Sequence, residues 1–315
     1  MFKRYLLFAL SCLFTSVYAQ NINQPYDEKL LNRLRGKFII SGASHFYYPD
    51  LKYGGYLIPK EHINNQLCNN KKKGAFYMVD HEGGDVRRIT SNTPSAQKSN
   101  DLTIEKYQQL WHEDMLTIKS YCIDSILGPT VDIGMGNGRS YSANLESNFK
   151  SIQPILDVSK KDGVLSVVKH FPGLLTKCDR VGKSKEQNYC DGDLKYIDKL
   201  WGKSLDTNPP KALMVSHYYY KTQKYQPALA NEEILSYLRI NKKYSGVILT
   251  DALWELNNEL TVDEIMNMYK YTDLVLMLDY KKIEKVIRYL HNEIKRNPQL
   301  ETYLVDTETR IKQWQ

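Results

Sequence analysis

What the chain lacks narrows its class first. Beyond its first residues it has no apolar run long enough to span a bilayer. It has no low-complexity linker and no shift in composition that would mark a second domain. None of its five cysteines is spaced as zinc ligands are. His45, His81, His170, His217, Asp80 and Asp251 are metal-ligating residue types, but no His-x-His pair lies on an early strand. We therefore expect no metal and no cofactor. Clustered charge is also scarce. The formal net charge is only +7, from 43 basic against 36 acidic residues. The tightest basic group, Lys71-Lys72-Lys73, reads as a solvated turn rather than a nucleic-acid-binding stripe. An anionic polymer could still be favoured by the small positive excess.

What is present begins with a leader. Lys3 and Arg4, a short apolar stretch over 5–14 and Val17-Tyr18-Ala19 have the order of a secretory signal peptide. Cleavage after Ala19 predicts a signal peptide over 1–19 and a single domain over 20–315. The product would be periplasmic or secreted and monomeric, without a stable membrane anchor. A lipoprotein reading at Cys12 fits less well, because Ala9-Leu10-Ser11 is a poor sequence before a lipidated cysteine. Removing Lys3 and Arg4 lowers the net charge to +5. Cys68, Cys122, Cys178 and Cys190 remain, and export permits disulfides. Cys178 and Cys190 share one loop-like stretch, which a bond between them would staple.

Eight short apolar runs read as strands: 38–41, 55–58, 75–79, 123–127, 165–169, 212–216, 247–250 and 274–278. Most are continuous rather than alternating, as expected for strands buried on both faces. Helical periodicity fills the intervals at 103–121, 149–159, 194–205, 232–240 and 262–271, then at 282–294 and 300–314. Strands alternating with helices predict a parallel sheet with crossover helices. Eight of them in this length predict an α/β fold, a (β/α)8 TIM barrel. Too little chain separates the first two strands for a packed helix, so the first repeat is expected to be degenerate.

Ionisable residues recur just past these strands. Asp80 and Glu82 follow the third, and Asp132 and Arg139 the fourth. Lys169 and His170 close the fifth, His217 the sixth and Asp251 the seventh. In a parallel barrel all strand C-termini open on one mouth, where the chemistry sits. Each residue has a structural alternative. Glu82 before two glycines could cap a turn, and Asp132 could hold loop backbone. Their joint placement at one end of five strands favours a functional site.

The motifs resemble those of glycoside hydrolase family 3, in particular its single-domain bacterial β-N-acetylhexosaminidases. Asp80-His81-Glu82-Gly83-Gly84-Asp85-Val86-Arg87-Arg88 is similar to the family's Asp-Gln-Glu-Gly-Gly-Arg-Val-Gln-Arg. Lys169-His170-Phe171-Pro172-Gly173 matches its Lys-His-Phe-Pro-Gly string. Gly138-Arg139-Ser140, Met214-Val215-Ser216-His217 and Gly246-Val247-Ile248-Leu249-Thr250-Asp251 follow in the family's order. The resemblance implies a retaining glycosidase for amino-sugar glycans such as peptidoglycan or chitin fragments, with a carbohydrate as its partner. It implies Asp251 as nucleophile, and Asp80, Arg139, Lys169 and His170 holding sugar hydroxyls with His217 beside them.

One segment departs from the family. The acid/base loop should carry an Asp-Ser-His triplet. Here Asp179 falls one residue early, and Val181 or Gly182 stands where the histidine belongs. No histidine occurs between His170 and His217, and Ala252 replaces the usual Asp after the nucleophile. Losing general acid/base help costs roughly 10²–10⁴-fold in rate. Three readings stay open: another acid from this loop (Asp179, Glu186, Asp191 or Asp193), a restriction to substrates with good leaving groups, or a catalytically impaired glycan- or muropeptide-binding protein.

Overall fold

The computed structural model describes residues 26–41, 53–71, 73–174, 178–181, 187–190, 192–222, 225–256 and 259–315, with backbone only at 178–181, 187–189 and 225. Twelve strands occur among them: β1 (Phe38–Ser41), β2 (Gly55–Leu57), β3 (Phe76–Asp80), β4 (Ser125–Thr130), β5 (Leu165–Phe171), β6 (Cys178–Val181), β7 (Gln187–Cys190), β8 (Ala212–Val215), β9 (Tyr219–Lys221), β10 (Tyr225–Pro227), β11 (Val247–Thr250) and β12 (Val275–Met277). Nine α-helices accompany them: α1 (Glu28–Arg35), α2 (Ala96–Ser99), α3 (Ile104–Ser120), α4 (Leu145–Asp162), α5 (Leu194–Thr207), α6 (Glu232–Ser236), α7 (Val262–Tyr271), α8 (Tyr280–Arg296) and α9 (Glu301–Trp314).

Eight strands form one sheet in the order β11-β8-β5-β4-β3-β2-β1-β12, and every pair in it is parallel. The sheet all but closes on itself. A single parallel bridge joins Leu249 to Leu274, and the Thr250 N–H donates to the Leu274 carbonyl at 2.9 Å. All eight runs read from the sequence are these eight strands, with ends shifted by at most three residues.

Alternation along each strand divides the core in two. Ile39, Phe76, Met78, Leu127, Val167, Met214, Leu249 and Leu276 turn into the barrel and pack on one another. Their neighbours, among them Ile40, Tyr77, Val79, Ile126, Val168, Leu213 and Ile248, pack outward with the helices. Trp314 plugs the base of the barrel, its ring 5.0 Å from that of Phe76.

The helices obey local rules. The α3 N-cap Thr103 accepts from the Lys106 N–H, and Tyr107, Trp111, Met115 and Ile118 form its buried stripe. Burying Met115 or Ile118 contributes about 1.5–3 kcal/mol each, and Trp111→Ala would cost about 3–5 kcal/mol. Asn144 caps α4, which ends at Gly163 with φ +70°. Thr261 and Glu264 form a capping box on α7.

Three features escape the sequence reading. Helix α1 precedes the barrel and is tied to α8 by paired Arg35–Glu284 hydrogen bonds of 3.0 and 2.9 Å. The β2–β3 connection carries a 3₁₀ turn (Lys60–His62) but no α-helix among its described residues, and a Cys68–Cys122 disulfide fastens it to the α3–β4 turn. Residues 42–52 of the connection after β1, where the degenerate repeat was expected, lie outside the described residues. Finally, the β5–α5 and β8–α6 connections build a second sheet, β10-β9-β7-β6, at the C-terminal end of the barrel. In it β6 and β7 pair antiparallel with Cys178 opposite Cys190, and Cys190, which is buried, is disulfide-bonded.

Candidate active site

Strand β3 ends in Asp80, and the period of two continues through the next residues. Asp80 and Glu82 therefore face the mouth while His81 between them turns outward. His81 is fully buried, its Nε2 3.0 Å from Asp114 Oδ2 of α3 and its ring edge-on to Trp111. It belongs to the barrel wall. The set of metal-ligand types considered above is thereby split. His45 lies outside the described residues, among which no group of three His, Cys, Asp or Glu side chains could hold an ion.

At the mouth, Lys169 Nζ donates to Asp80 Oδ1 at 2.5 Å and lies 2.6 Å from Glu82 Oε1. Arg139 binds Glu82 through both ends of its guanidinium, Nε–Oε2 2.8 Å and Nη2–Oε1 2.6 Å. Arg88 Nη2 reaches Asp80 Oδ2 at 3.0 Å. Burial alone would raise Glu82, but Lys169 and Arg139 outweigh it and hold the carboxyl well below its usual range. Burial would likewise lower Lys169, and Asp80 and Glu82 reverse the sign. Each of these shifts favours the charged form of its group.

Across the mouth lies Asp251, the first residue after β11. Its Oδ1 accepts the Ala252 N–H at 2.7 Å, and its Oδ2 pairs with His217 Nδ1 at 2.5 Å. His170 Nε2 stands 3.7 Å from the same oxygen. Burial pushes the Asp251 carboxyl up, but the His217 hydrogen bond and the His217 and His170 charges overcome it and set it well below ordinary carboxylates. Burial lowers His217, and its bond to Asp251 more than compensates, so its imidazole is raised. Tyr218 packs edge-on against His217, ring centroids 4.7 Å apart.

His170 is aimed by Asp132, whose Oδ2 holds its Nδ1 at 2.5 Å while Oδ1 accepts the Leu174 N–H at 2.7 Å. Asp132 does hold loop backbone, as its sequence alternative had it, and also sets the orientation of the imidazole. The peptide bond between Lys169 and His170 is cis. The loop behind them admits only glycine at 173, where φ is +81° and a Cβ would meet Asp132 Oδ1 at 2.1 Å.

The structure thus brings Asp80, Arg139, Lys169, His170, His217 and Asp251 together. It adds Glu82 and Asp132 as the residues that hold Arg139, Lys169 and His170. The alternation that pairs Glu82 with Asp80 was present in the sequence. Asp179 lies in β6 at the same barrel end, its side chain outside the described residues. Glu186 and Asp191 also fall outside them. Asp193 caps α5, accepting from the Tyr196 N–H at 2.9 Å.

A parallel barrel whose strand C-termini gather buried carboxylates, cations and imidazoles at one mouth defines an α/β-barrel protein with its candidate site at that face. The family model described as the glycosyl hydrolase family 3 N terminal domain matches residues 58–310, and the chain belongs to this family. It is 28% identical over 238 residues to an uncharacterized secreted glycosyl hydrolase of Arthroderma benhamiae, covering 64% of this chain and 65% of that protein. It is 28% identical over 197 residues to a beta-hexosaminidase of Psychromonas ingrahamii, covering 56% of each. It is 25% identical over 213 residues to beta-hexosaminidase A of Pseudoalteromonas piscicida, covering 56% of this chain and 35% of that one. The matches thus span between 35% and 65% of these relatives' lengths. The fold is shared with a beta-N-acetylhexosaminidase of Beutenbergia cavernae (TM-score 0.75, 18% identity, 91% of this chain and 98% of that one). It is shared also with a beta-N-acetylglucosaminidase of a Paenibacillus species (TM-score 0.77, 17% identity, 90% and 62%).

Proposed function

We propose that the protein is an exported β-N-acetylhexosaminidase-type glycosidase. In this reading it removes terminal N-acetylhexosamine from amino-sugar glycans, such as peptidoglycan or chitin fragments, with retention. The observation that carries it is the buried, ionised Asp251, which faces the Asp80–Glu82–Lys169–Arg139 network. Asp251 attacks the anomeric carbon as the glycosidic C–O bond breaks and the protonated aglycone departs, and water then hydrolyses the glycosyl-enzyme. Asp80, Arg139, Lys169 and His170 bind ring hydroxyls and hold the anomeric carbon in line with the carboxylate. His217 keeps Asp251 deprotonated and oriented. Asp179, carried by β6, is the proposed acid/base; retention requires two carboxyl groups about 5–5.5 Å apart across the scissile bond. A Cys178–Cys190 bond between the paired strands would fix that hairpin.

The test is hydrolysis of an activated aryl N-acetyl-β-glucosaminide by the protein lacking residues 1–19, beside Asp251→Asn. Turnover abolished by the substitution supports the reading, and absence of turnover in the unsubstituted protein overturns it. A natural disaccharide tested next reports whether a working acid exists. The valine or glycine at the family's histidine position favours one second reading, a glycan-binding protein on an enzyme's barrel. Binding of N-acetylglucosamine without turnover would support that.

A further inference from the structure

The mouth is charged along one arc only. In sheet order, β3, β4, β5, β8 and β11 bring Asp80, Asp132, Lys169, His217 and Asp251 to it, and β12, β1 and β2 complete the ring. The period of two that turns Asp80, Lys169 and Asp251 inward places Leu278, Ser41 and Leu57 at the matching ends of these last three strands. None of the three is ionisable. Leu278 is 48% exposed there, and Leu57 is half-buried.

The chain leaving Asp251 folds over this arc. Residues Leu253–Glu255 form a 3₁₀ turn, closed by the Glu255 N–H on the Ala252 carbonyl at 3.1 Å, and the turn packs on β12. Its Trp254 is half-buried and, like Leu57, packs on the apolar side chains that fill the barrel. The Trp254 indole N–H has no partner among the described residues. Glu255 is near enough to His217 for its charge to help raise that imidazole, which sets the turn at the mouth.

Position decides what this arc can meet. Asp251 has β8 on one side and β12 on the other. With the anomeric carbon facing Asp251, the group attached to that carbon leaves between these two flanks, away from Asp80 and Arg139. The β8 flank carries His217 and joins the second sheet. The β12 flank offers apolar surface and one N–H. Covering such surface is favourable, and an indole adds a rigid flat face with a polar edge. That combination suits a flat ring with apolar faces and oxygen at its edge.

We propose that Trp254, Leu278 and Leu57 form the apolar wall of an aglycone subsite, which takes a flat ring, a pyranose or an aryl group, against the indole. The inference rests on the glycosidase reading above and names what the group beyond the scissile bond must present. The charged arc then fixes the terminal sugar while the apolar arc selects what it is attached to.

The test measures affinity by calorimetry in the Asp251→Asn background, where the ligands stay intact. Methyl N-acetyl-β-glucosaminide, its phenyl counterpart and N-acetylchitobiose share the terminal sugar and differ in the aglycone. Trp254→Ala should weaken the ring-bearing ligands about tenfold relative to the methyl glycoside, the scale of an aromatic contact. Trp254→Phe should restore most of that ratio. Leu278→Ser, which alters an exposed side chain, should lower the ratio about fourfold, the scale of one buried methylene. A loss confined to one ring-bearing ligand supports the wall and identifies the ring it holds. A ratio unchanged by Leu278→Ser, or by Trp254→Ala in protein that still binds the methyl glycoside, overturns the wall alone. No binding of any of the three overturns the wall, and if the unsubstituted protein also fails to turn over the aryl glycoside, the glycosidase reading falls with it.

Discussion

The barrel carries a buried ionic cluster at each end, and the two are built differently. At the base, Asp273 is wholly enclosed and satisfied by protein alone. It accepts from Arg239 Nη2 at 2.5 Å, Arg310 Nε at 2.8 Å, Thr307 Oγ1 at 3.2 Å and the Ile248 N–H at 2.8 Å. Lys37 lies beside it, donating to the Thr272 carbonyl at 2.7 Å and to Thr307 Oγ1 at 2.9 Å. At the mouth, the same residue types are paired, but Asp80 and Arg88 keep partial exposure. Similar ion pairs therefore serve different ends. A closed cluster fixes the fold, and one open to solvent leaves donors and acceptors for a ligand, the division expected between the two faces of this barrel.

Substitutions at the two ends should separate these roles. Asp251→Asn should cut turnover by roughly 10⁴-fold, the scale of removing one member of a catalytic unit, with a thermal midpoint close to the parent's. Asp273→Asn should do the reverse. It leaves Arg239 and Arg310 buried beside a neutral side chain, at a cost of about 3–5 kcal/mol. Denaturant unfolding should show that loss while the folded fraction keeps its turnover. A substantial loss of turnover per folded molecule would break the comparison.

The base has a covalent element too. The Cys68–Cys122 bond closes a loop of 54 residues, and chain entropy assigns such a loop about 4 kcal/mol. Cys122→Ser should lower the unfolding free energy by about that amount without altering sugar affinity.

The smallest effects are those of pH, and those of Lys37 at the base and His217 at the mouth have opposite signs. Burial drives Lys37 from 10.5 to about 7, with Asp273 pulling the other way. The unfolded chain then binds more protons between those values, so this group makes stability rise with pH across that window, by roughly 1 kcal/mol per unit. Lys37→Met should flatten the slope in chemical denaturation. At the mouth, His217 is raised by folding, so its contribution is complete below the unfolded value near 6.5 and is lost as pH rises through the folded one. Asp251 is lowered, so its contribution is present above about 4 and fades only in stronger acid. The pH profile of kcat/KM should therefore hold its acid limb below 4. In His217→Gln the limb should move upward, and an unmoved limb would separate Asp251 from His217.

Much of this was legible in the chain. A strand buried on both faces must be apolar throughout, so eight such runs marked the barrel, and the residues ending them marked the mouth. The string Lys169-His170-Phe171-Pro172-Gly173 already set a lysine and a histidine at the end of the fifth strand. Asp80 and Glu82 sharing a face also followed from the strand period alone. The pairings across space did not. His217 with Asp251, His170 with Asp132 and Cys68 with Cys122 join residues 34, 38 and 54 positions apart. The second sheet was equally hidden, since its strands of three or four residues carry no period long enough to read.

The sequence by itself determined the barrel, its polarity and the types of residue at its mouth, because burial pattern and strand period are local. Only the tertiary structure decided which carboxylate each cation meets, that His81 belongs to the wall and that the two crossover loops join as one sheet. Those depend on closing the barrel, which brings distant segments within hydrogen-bonding reach.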